Sequence, residues 1–363
     1  MRPDFLLEFR FKTLWKWIPL KLLSLIYTLG IQTWLAFYRI GWKKAVKVDC
    51  PVISIGNITV GGTGKTPMVD WCLDFCKEYG KKAVVITRGY KGEREDKREV
   101  VLLNQETAKQ LSPQQVGDEP WLLFTRHPDC EFYITSDRRV AAGRVKDADT
   151  VLFLDDGMQH LKLHRDLNIV LIDSITGIGN GHILPLGPLR EPIQGLSRAD
   201  TIIFSRTNIK DSQWIREKLK PLVVDIPMFD AQYRPGALIS SKSGNQTEVT
   251  ELAGKSVLLF SGIGNPDAFT SIIDQQGGVV TGHMVLEDHV QYDEKLIEKI
   301  TTFCSDQSED TVYVTTEKDW VKLEAWKERL PEIYYLKMEM TLGEDFNQYL
   351  TRFFDHWFSS RLP

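Results

Sequence analysis

Gly56-Asn57-Ile58-Thr59-Val60-Gly61-Gly62-Thr63-Gly64-Lys65-Thr66-Pro67 lies between the apolar run Val52-Ile53-Ser54-Ile55 and a stretch with helical periodicity. A glycine-rich turn from strand to helix lets backbone N–H groups close around an anion. The terminal Gly-Lys-Thr adds a lysine for the outer phosphates and a hydroxyl able to ligate Mg²⁺. Pro67 suits the first turn of the helix. The segment reads as a nucleotide phosphate-binding loop formed by Thr59, Val60, Gly61, Gly62, Thr63, Gly64, Lys65 and Thr66. Thr59 stands where the strict pattern has glycine, so the loop is a variant form.

Working outward, β-rich runs alternate with helical ones. Strands are expected at Ala83–Thr87, Glu131–Thr135, Val151–Leu154, Ile169–Ile172 and Thr201–Ser205, and helices near Pro67–Tyr79, Glu119–Arg126 and Asp137–Val145. That alternation predicts a mostly parallel sheet covered by helices. Pro227–Pro235 reads as a proline-bearing connection. After it a second alternating series has strands at Ser256–Ser261, Thr311–Thr315 and Ile333–Leu336, with helices at Pro266–Gln275, Glu294–Cys304, Trp320–Glu328 and Glu344–Phe358. The expected fold is α/β: a P-loop NTPase-like core domain over 49–229, a second, smaller α/β domain over 230–363 closing over the site, and an N-terminal membrane-interface segment over 1–48.

Charge singles out that first segment. The chain of 363 residues carries a net −4, yet residues 1–48 alone carry +7 and the remainder −11. A basic end favours an anionic surface. Leu22 to Tyr38 is an uncharged run of 17 residues, short of a full bilayer span. Lys21, Ser24, Thr28, Gln32 and Arg39 recur at helical spacing as a narrow polar stripe, and Trp15, Trp17, Trp34, Phe37, Tyr38 and Trp42 are aromatics of the kind found at membrane interfaces. A helix lying in the interface fits this pattern, the alternative being an amphipathic helix packed on the protein's own core. No cleavage-site pattern follows it. The five cysteines form no Cys-x-x-Cys pair, which disfavours a zinc or disulfide scaffold and suits a reducing, cytoplasmic setting.

Other stretches carry chemistry. Thr150-Val151-Leu152-Phe153-Leu154-Asp155-Asp156-Gly157 is an apolar strand ending in two carboxylates, suited to holding a metal opposite Thr66, with Gln159 and His160 close behind. Val116-Gly117-Asp118-Glu119-Pro120 places adjacent carboxylates in a loop, where Pro120 biases Glu119 toward an extended conformation so that the two side chains diverge. Arg88 in Thr87–Gly92 and Arg190 in Leu184–Pro192 sit in rigid Gly/Pro frames able to clamp a phosphate. Phe260–Pro266 forms another strand-turn-helix junction, and Glu287-Asp288-His289 with Tyr292 gathers groups suited to proton transfer. In Thr316-Glu317-Lys318-Asp319 a glutamate occupies the lysine position of a guanine-reading motif, which argues against GTP.

This set of motifs resembles the tetraacyldisaccharide 4′-kinase family of the lipid A pathway, over nearly the whole chain. The matching stretches are Gly56–Pro67, Arg88-Gly89-Tyr90, Gly117–Pro120, Asp155–His160, Leu184–Pro192, Gly262–Pro266, Asp288-His289 and Thr316–Asp319. The resemblance implies transfer of the γ-phosphate of Mg·ATP to the 4′-hydroxyl of a tetraacyl disaccharide 1-phosphate, giving lipid IVA, at the cytoplasmic face of the bacterial inner membrane. It implies Lys65 and Thr66 on the phosphates; Thr66, Glu119, Asp155 and Asp156 on Mg²⁺; Asp118 with His289 in proton abstraction; and Arg88, Gln159, His160 and Arg190 toward the lipid. No nucleic-acid partner and no obligatory protein partner are expected. Met158 replaces an aromatic usual in the family, and Val290 follows His289 where a second histidine is common. A partition-type ATPase switch is disfavoured, since Val60 stands in place of that loop's signature lysine. A cytosolic small-molecule kinase leaves the basic, aromatic N-terminus unexplained.

Overall fold

The computed structural model describes residues 14–360 apart from 91, 94, 96–98, 289 and 306–309. Residues 1–13 of the expected N-terminal segment, Lys91 and His289 thus lie outside the described residues. The strands are β1 Val52–Asn57, β2 Lys82–Thr87, β3 Val101–Leu103, β4 Glu131–Ile134, β5 Thr150–Asp155, β6 Leu167–Asp173, β7 Thr201–Ser205, β8 Met228–Ser240, β9 Gln246–Glu248, β10 Ser256–Ser261, β11 Val279–Val285, β12 Val312–Thr316 and β13 Tyr334–Leu342. The helices are α1 Leu14–Arg39, α2 Lys65–Glu78, α3 Pro113–Val116, α4 Asp118–Arg126, α5 Arg138–Ala142, α6 Gln213–Leu219, α7 Pro266–Gln275, α8 Glu294–Ser305, α9 Glu317–Leu323 and α10 Glu344–Ser359.

All these strands join one sheet in the order β11-β10-β12-β13-β8-β7-β6-β1-β5-β2-β4-β3, with β9 on β8. From β4 to β8 neighbouring strands are parallel, and β10, β11, β12 and β13 are parallel among themselves. The two parallel halves meet where β13 runs antiparallel to β8. Every residue of β1, β5 and β6 is buried, as a sheet covered by helices on both faces requires. Against it α2 buries Met68, Val69, Cys72, Leu73 and Cys76, the i, i+3/i+4 face of an amphipathic helix. Burial pushes the Cys76 thiol up to about 12, so this cysteine pair is core packing.

Three expectations change. Pro227–Pro235 is largely strand β8, not a connection: Pro235 pairs with Met338 where the ladder shifts register, so its missing N–H breaks no regular pairing. Residue 230 therefore falls inside a strand shared by both halves, and α10 returns to the first half, where Phe346 packs on Trp71 and Phe354 on Phe75. Secondly, α9 begins at Glu317 rather than Trp320, because the Thr316 hydroxyl accepts the Asp319 N–H at 3.2 Å and caps it. Finally, α1 extends over 26 residues, long and apolar enough to cross a membrane by length and composition. Only part of its polar stripe faces inward: Ser24 is buried and donates to the Ile183 carbonyl at 2.8 Å and Thr28 is half-buried, while Lys21, Gln32 and Arg39 are exposed, as are Leu22, Leu23, Leu25, Ile26 and Leu29. The side toward the protein also carries the half-buried Leu20, Ile31, Trp34 and Leu35, and the broad apolar face opposite is left uncovered.

Candidate active site

In a parallel sheet the loops that bind ligands gather at the carboxyl ends of the strands. Here the ends of β1, β2, β5, β7 and β10 open onto one cleft of about 900 Å³ between the two halves. Gly64 takes a left-handed φ of 87° where the loop turns into α2, and a Cβ there would come within 3.1 Å of Met340 and 3.5 Å of Ser205, so only glycine fits. The loop is stapled to the 184–192 segment by the Thr59–Leu189 bridge, the Val60 N–H to Pro188 carbonyl at 2.8 Å and the Arg190 N–H to Ile58 carbonyl at 2.8 Å. This pairing brings Arg190 beside Lys65, though the two are far apart in sequence. Val60 to Thr66 line the cleft, while Thr59 is buried behind it.

The two strand-end carboxylates are not equivalent. Asp156, at φ 51°, takes the Arg190 Nη1 on both oxygens at 2.8 Å, and Lys65 Nζ lies 3.8 Å away. Burial disfavours its charge, but Lys65 and Arg190 hold its carboxyl below the usual range. Asp155 accepts from the Thr87 hydroxyl at 2.9 Å on one oxygen only. Its Oδ1 is buried without a hydrogen-bond partner, and burial, with the charges of Glu119 and Asp156, pushes this carboxyl up to about 6. A carboxylate oxygen left bare beside Thr66, Glu119 and Asp156 fits a divalent cation: these are hard oxygen donors of the kind Mg²⁺ takes.

Asp118 and Glu119 do diverge, but for a different reason than expected. Both stand in the first turn of α4, where Pro120 is tolerated, so neighbouring side chains leave the axis at different angles instead of alternating along an extended chain. Glu119 reaches the cleft wall, and the Asp118 Oδ2 lies 3.5 Å from Lys322 Nζ on α9. Arg88 and Arg190 line the cleft. Gln159 and His160 stand behind that wall. The Gln159 amide donates to the Asn57 carbonyl at 3.0 Å and to Glu191 at 2.9 Å, with its oxygen 3.5 Å from Arg190. His289, as noted, is outside the described residues.

The sequence reading missed three arginines of the cleft. Arg138, buried at the start of α5, donates to the Asp156 carbonyl at 2.9 Å. Arg206, at φ 61° just past β7, pairs with Asp173 and reaches the Gly62 carbonyl at 3.3 Å. Arg126 ties Asp70 on α2 to Glu317 on α9. Each follows or closes an element bordering the cleft, so their position at strand and helix ends was the available signal.

His160 makes a measurable prediction. Burial, then the neighbouring Arg138 charge, lowers its imidazole to about 3. Unfolded histidine titrates near 6.5, so as pH falls from there toward 3 the unfolded chain binds the proton and the native state does not; stability drops with pH over that window. At pH 5 the loss is about 2 kcal/mol. His160→Gln is expected to flatten the fall in melting temperature between pH 7 and pH 5, and identical slopes for the two proteins would refute a buried neutral imidazole.

The chain as a whole is similar to known proteins. The family model described as Tetraacyldisaccharide-1-P 4′-kinase matches residues 16–355. A tetraacyldisaccharide 4′-kinase from Syntrophotalea carbinolica is 36% identical over 290 residues, covering 79% of this chain and 78% of that protein. Another, from Geobacter metallireducens, is 35% identical over 325 residues, covering 89% and 93%. Among solved structures, LpxK from Aquifex aeolicus in complex with ATP superposes with a TM-score of 0.75 at 27% identity, over 93% of this chain and 98% of that one.

Proposed function

Since the chain belongs to the tetraacyldisaccharide-1-phosphate 4′-kinase family, an ATP-dependent lipid A 4′-kinase, we propose how its own residues carry out the transfer. The observation that carries the reading is the bare Asp155 oxygen beside the phosphate loop. Thr66, Glu119, Asp155 and Asp156 would hold Mg²⁺, the Asp155 oxygen being bare while both Asp156 oxygens face Arg190. The chemistry such an ion would supply there is neutralisation of charge on the phosphate oxygens. Backbone N–H groups of residues 61–66 cradle the triphosphate, and Lys65, only loosely paired with Asp156, turns to the transferred phosphate. Arg190 and Arg88 face the acceptor; Gln159 orients Arg190 from behind, and His160 packs beneath as a neutral ring. Asp118, with His289, takes the proton of the sugar 4′-hydroxyl, which is a poor nucleophile at neutral pH.

The test is an assay with labelled ATP, Mg²⁺, anionic vesicles and a tetraacyl disaccharide 1-phosphate acceptor, product being followed by chromatography. Acceptor-dependent lipid phosphate is expected. ATP hydrolysis that ignores the acceptor and follows vesicles alone would point to a membrane-bound ATPase instead.

The exposed apolar face of α1 and the basic charge of residues 1–48 support a place at the cytoplasmic face of the inner membrane, with α1 in the interface. Deleting residues 1–42 is expected to release the protein from anionic vesicles while ATP binding persists, and high salt to weaken binding of the full chain. Serine at Leu22, Ile26 and Leu29 together should lower vesicle partitioning by roughly tenfold or more, since three exposed apolar side chains lose their burial in lipid. Unchanged partitioning would place the membrane contact elsewhere.

A further inference from the structure

Helices α4 and α9 run antiparallel across the junction of the two halves, with opposite charges facing at both ends. Arg126 at the end of α4 pairs with Glu317 at the start of α9, and Asp118 at the start of α4 faces Lys322 near the end of α9. The first pair is braced by Asp70 and by the Met338 carbonyl, so it is the pair that holds the helices together. Lys322 is a different case. Its side chain is only 6% exposed, and a buried ammonium is costly unless its partners are well fixed.

Those partners are specific. Lys322 Nζ lies 3.5 Å from Asp118 Oδ2, 3.2 Å from the Val290 carbonyl, 4.0 Å from Asp319 Oδ1 and 5.4 Å from the centre of the Tyr292 ring. Asp319 is already engaged by the Gly262 N–H, the Thr316 hydroxyl and the Tyr292 hydroxyl at 3.0, 2.7 and 2.9 Å. What the ammonium adds is a link between Asp118 in the first half and the backbone of residue 290, the chain neighbour of His289, in the second. An ammonium suits this: it is a compact charge that donates in three directions at once, toward both a carboxylate and a carbonyl.

We propose that Lys322 is a positioning residue for phosphoryl transfer, its ammonium fixing the Asp118 carboxylate and the segment that carries His289 in one register. This rests on the reading of Asp118 and His289 as the proton-abstracting pair. Lys322 touches no reacting atom; it acts through Asp118.

The experiment is a double-mutant cycle between Lys322→Met and Asp118→Asn, read as kcat and as KM for ATP on the full-length enzyme with the lipid acceptor. Lys322→Met should lower kcat by about 10²-fold with KM for ATP changed by less than about threefold, because a misplaced base slows the chemical step and leaves the phosphate loop intact. Lys322→Arg, which keeps the charge but not the compact head, should recover only part of that kcat. In the Asp118→Asn background Lys322→Met should cost nothing further. A second full loss there, or a normal kcat in Lys322→Met, overturns the proposal and leaves Asp118 as the base. A normal kcat in Asp118→Asn overturns the reading of Asp118 itself, and with it the proposal. Should Lys322→Met not fold, the double variant leaves no unpaired carboxylate at 118 and is compared directly with Asp118→Asn.

Discussion

Asp155→Asn is expected to lower kcat at saturating Mg·ATP by about 10³-fold while raising the melting temperature of the ligand-free protein. Both effects have one cause. The Asp155 carboxylate is fully buried, one oxygen has no partner, and Glu119 and Asp156 add like charge, so its carboxyl stands near 6. A carboxyl whose folded pKa lies above its unfolded value stabilises the fold at low pH and loses that contribution as pH rises through the folded value. Against an unfolded value near 3.9, the ionised group costs about 3 kcal/mol at pH 7. Asparagine keeps the acceptor for the Thr87 hydroxyl and removes the charge, so the gain in melting temperature should be present at pH 7.5 and fade toward pH 4. The lost turnover should not return at high Mg²⁺. A variant that is active and no more stable would show that this oxygen awaits no cation.

The parts of the site that the sequence disclosed are those whose chemistry is contiguous. The loop 56–67 needs only its own backbone and the helix after it, and the carboxylates at 155 and 156 need only the end of their strand. Arg138, Arg206 and Lys322 escaped the sequence reading because each owes its role to neighbours brought in by strand order: Arg138 meets Asp156 through β4 and β5 flanking β2, and Lys322 meets Asp118 only when the halves join at β8 and β13. The helices and buried parallel strands were readable because periodicity reports burial. β8 was not, since Pro235 looks like a break until the register shift opposite Met338 is seen. The stripe on α1 was read from spacing alone, and of its residues Ser24 and Thr28 turn toward the protein while Lys21, Gln32 and Arg39 stay exposed. Periodicity shows that two faces differ and does not tell which of them meets protein when the outer solvent is lipid.

Lys65→Ala is expected to lower kcat by about 10³-fold with little change in stability. In the ligand-free site Lys65 Nζ stands 3.8 Å from Asp156, and both side chains are partly exposed, an arrangement that contributes little to folding. Asp156 keeps Arg190 on both oxygens when the lysine is gone, so no buried charge is left unpaired. The main-chain cradle also survives, because it is set by Gly64 at φ 87° and by the pairing of residues 58–60 with 188–190 rather than by the lysine side chain. What the variant loses is a mobile cation able to follow the charge that accumulates on the transferred phosphate. ATP should still bind, with KM raised far less than kcat falls. Lys65→Arg is expected to stay impaired: the guanidinium is larger and planar, and it would compete with Arg190 for Asp156 rather than reach past it as a point charge. The discriminating measurement is kcat against KM for ATP, alongside the melting temperature. A large rise in KM with kcat preserved would assign Lys65 to ground-state binding, and a collapse of the melting temperature would assign it to the fold.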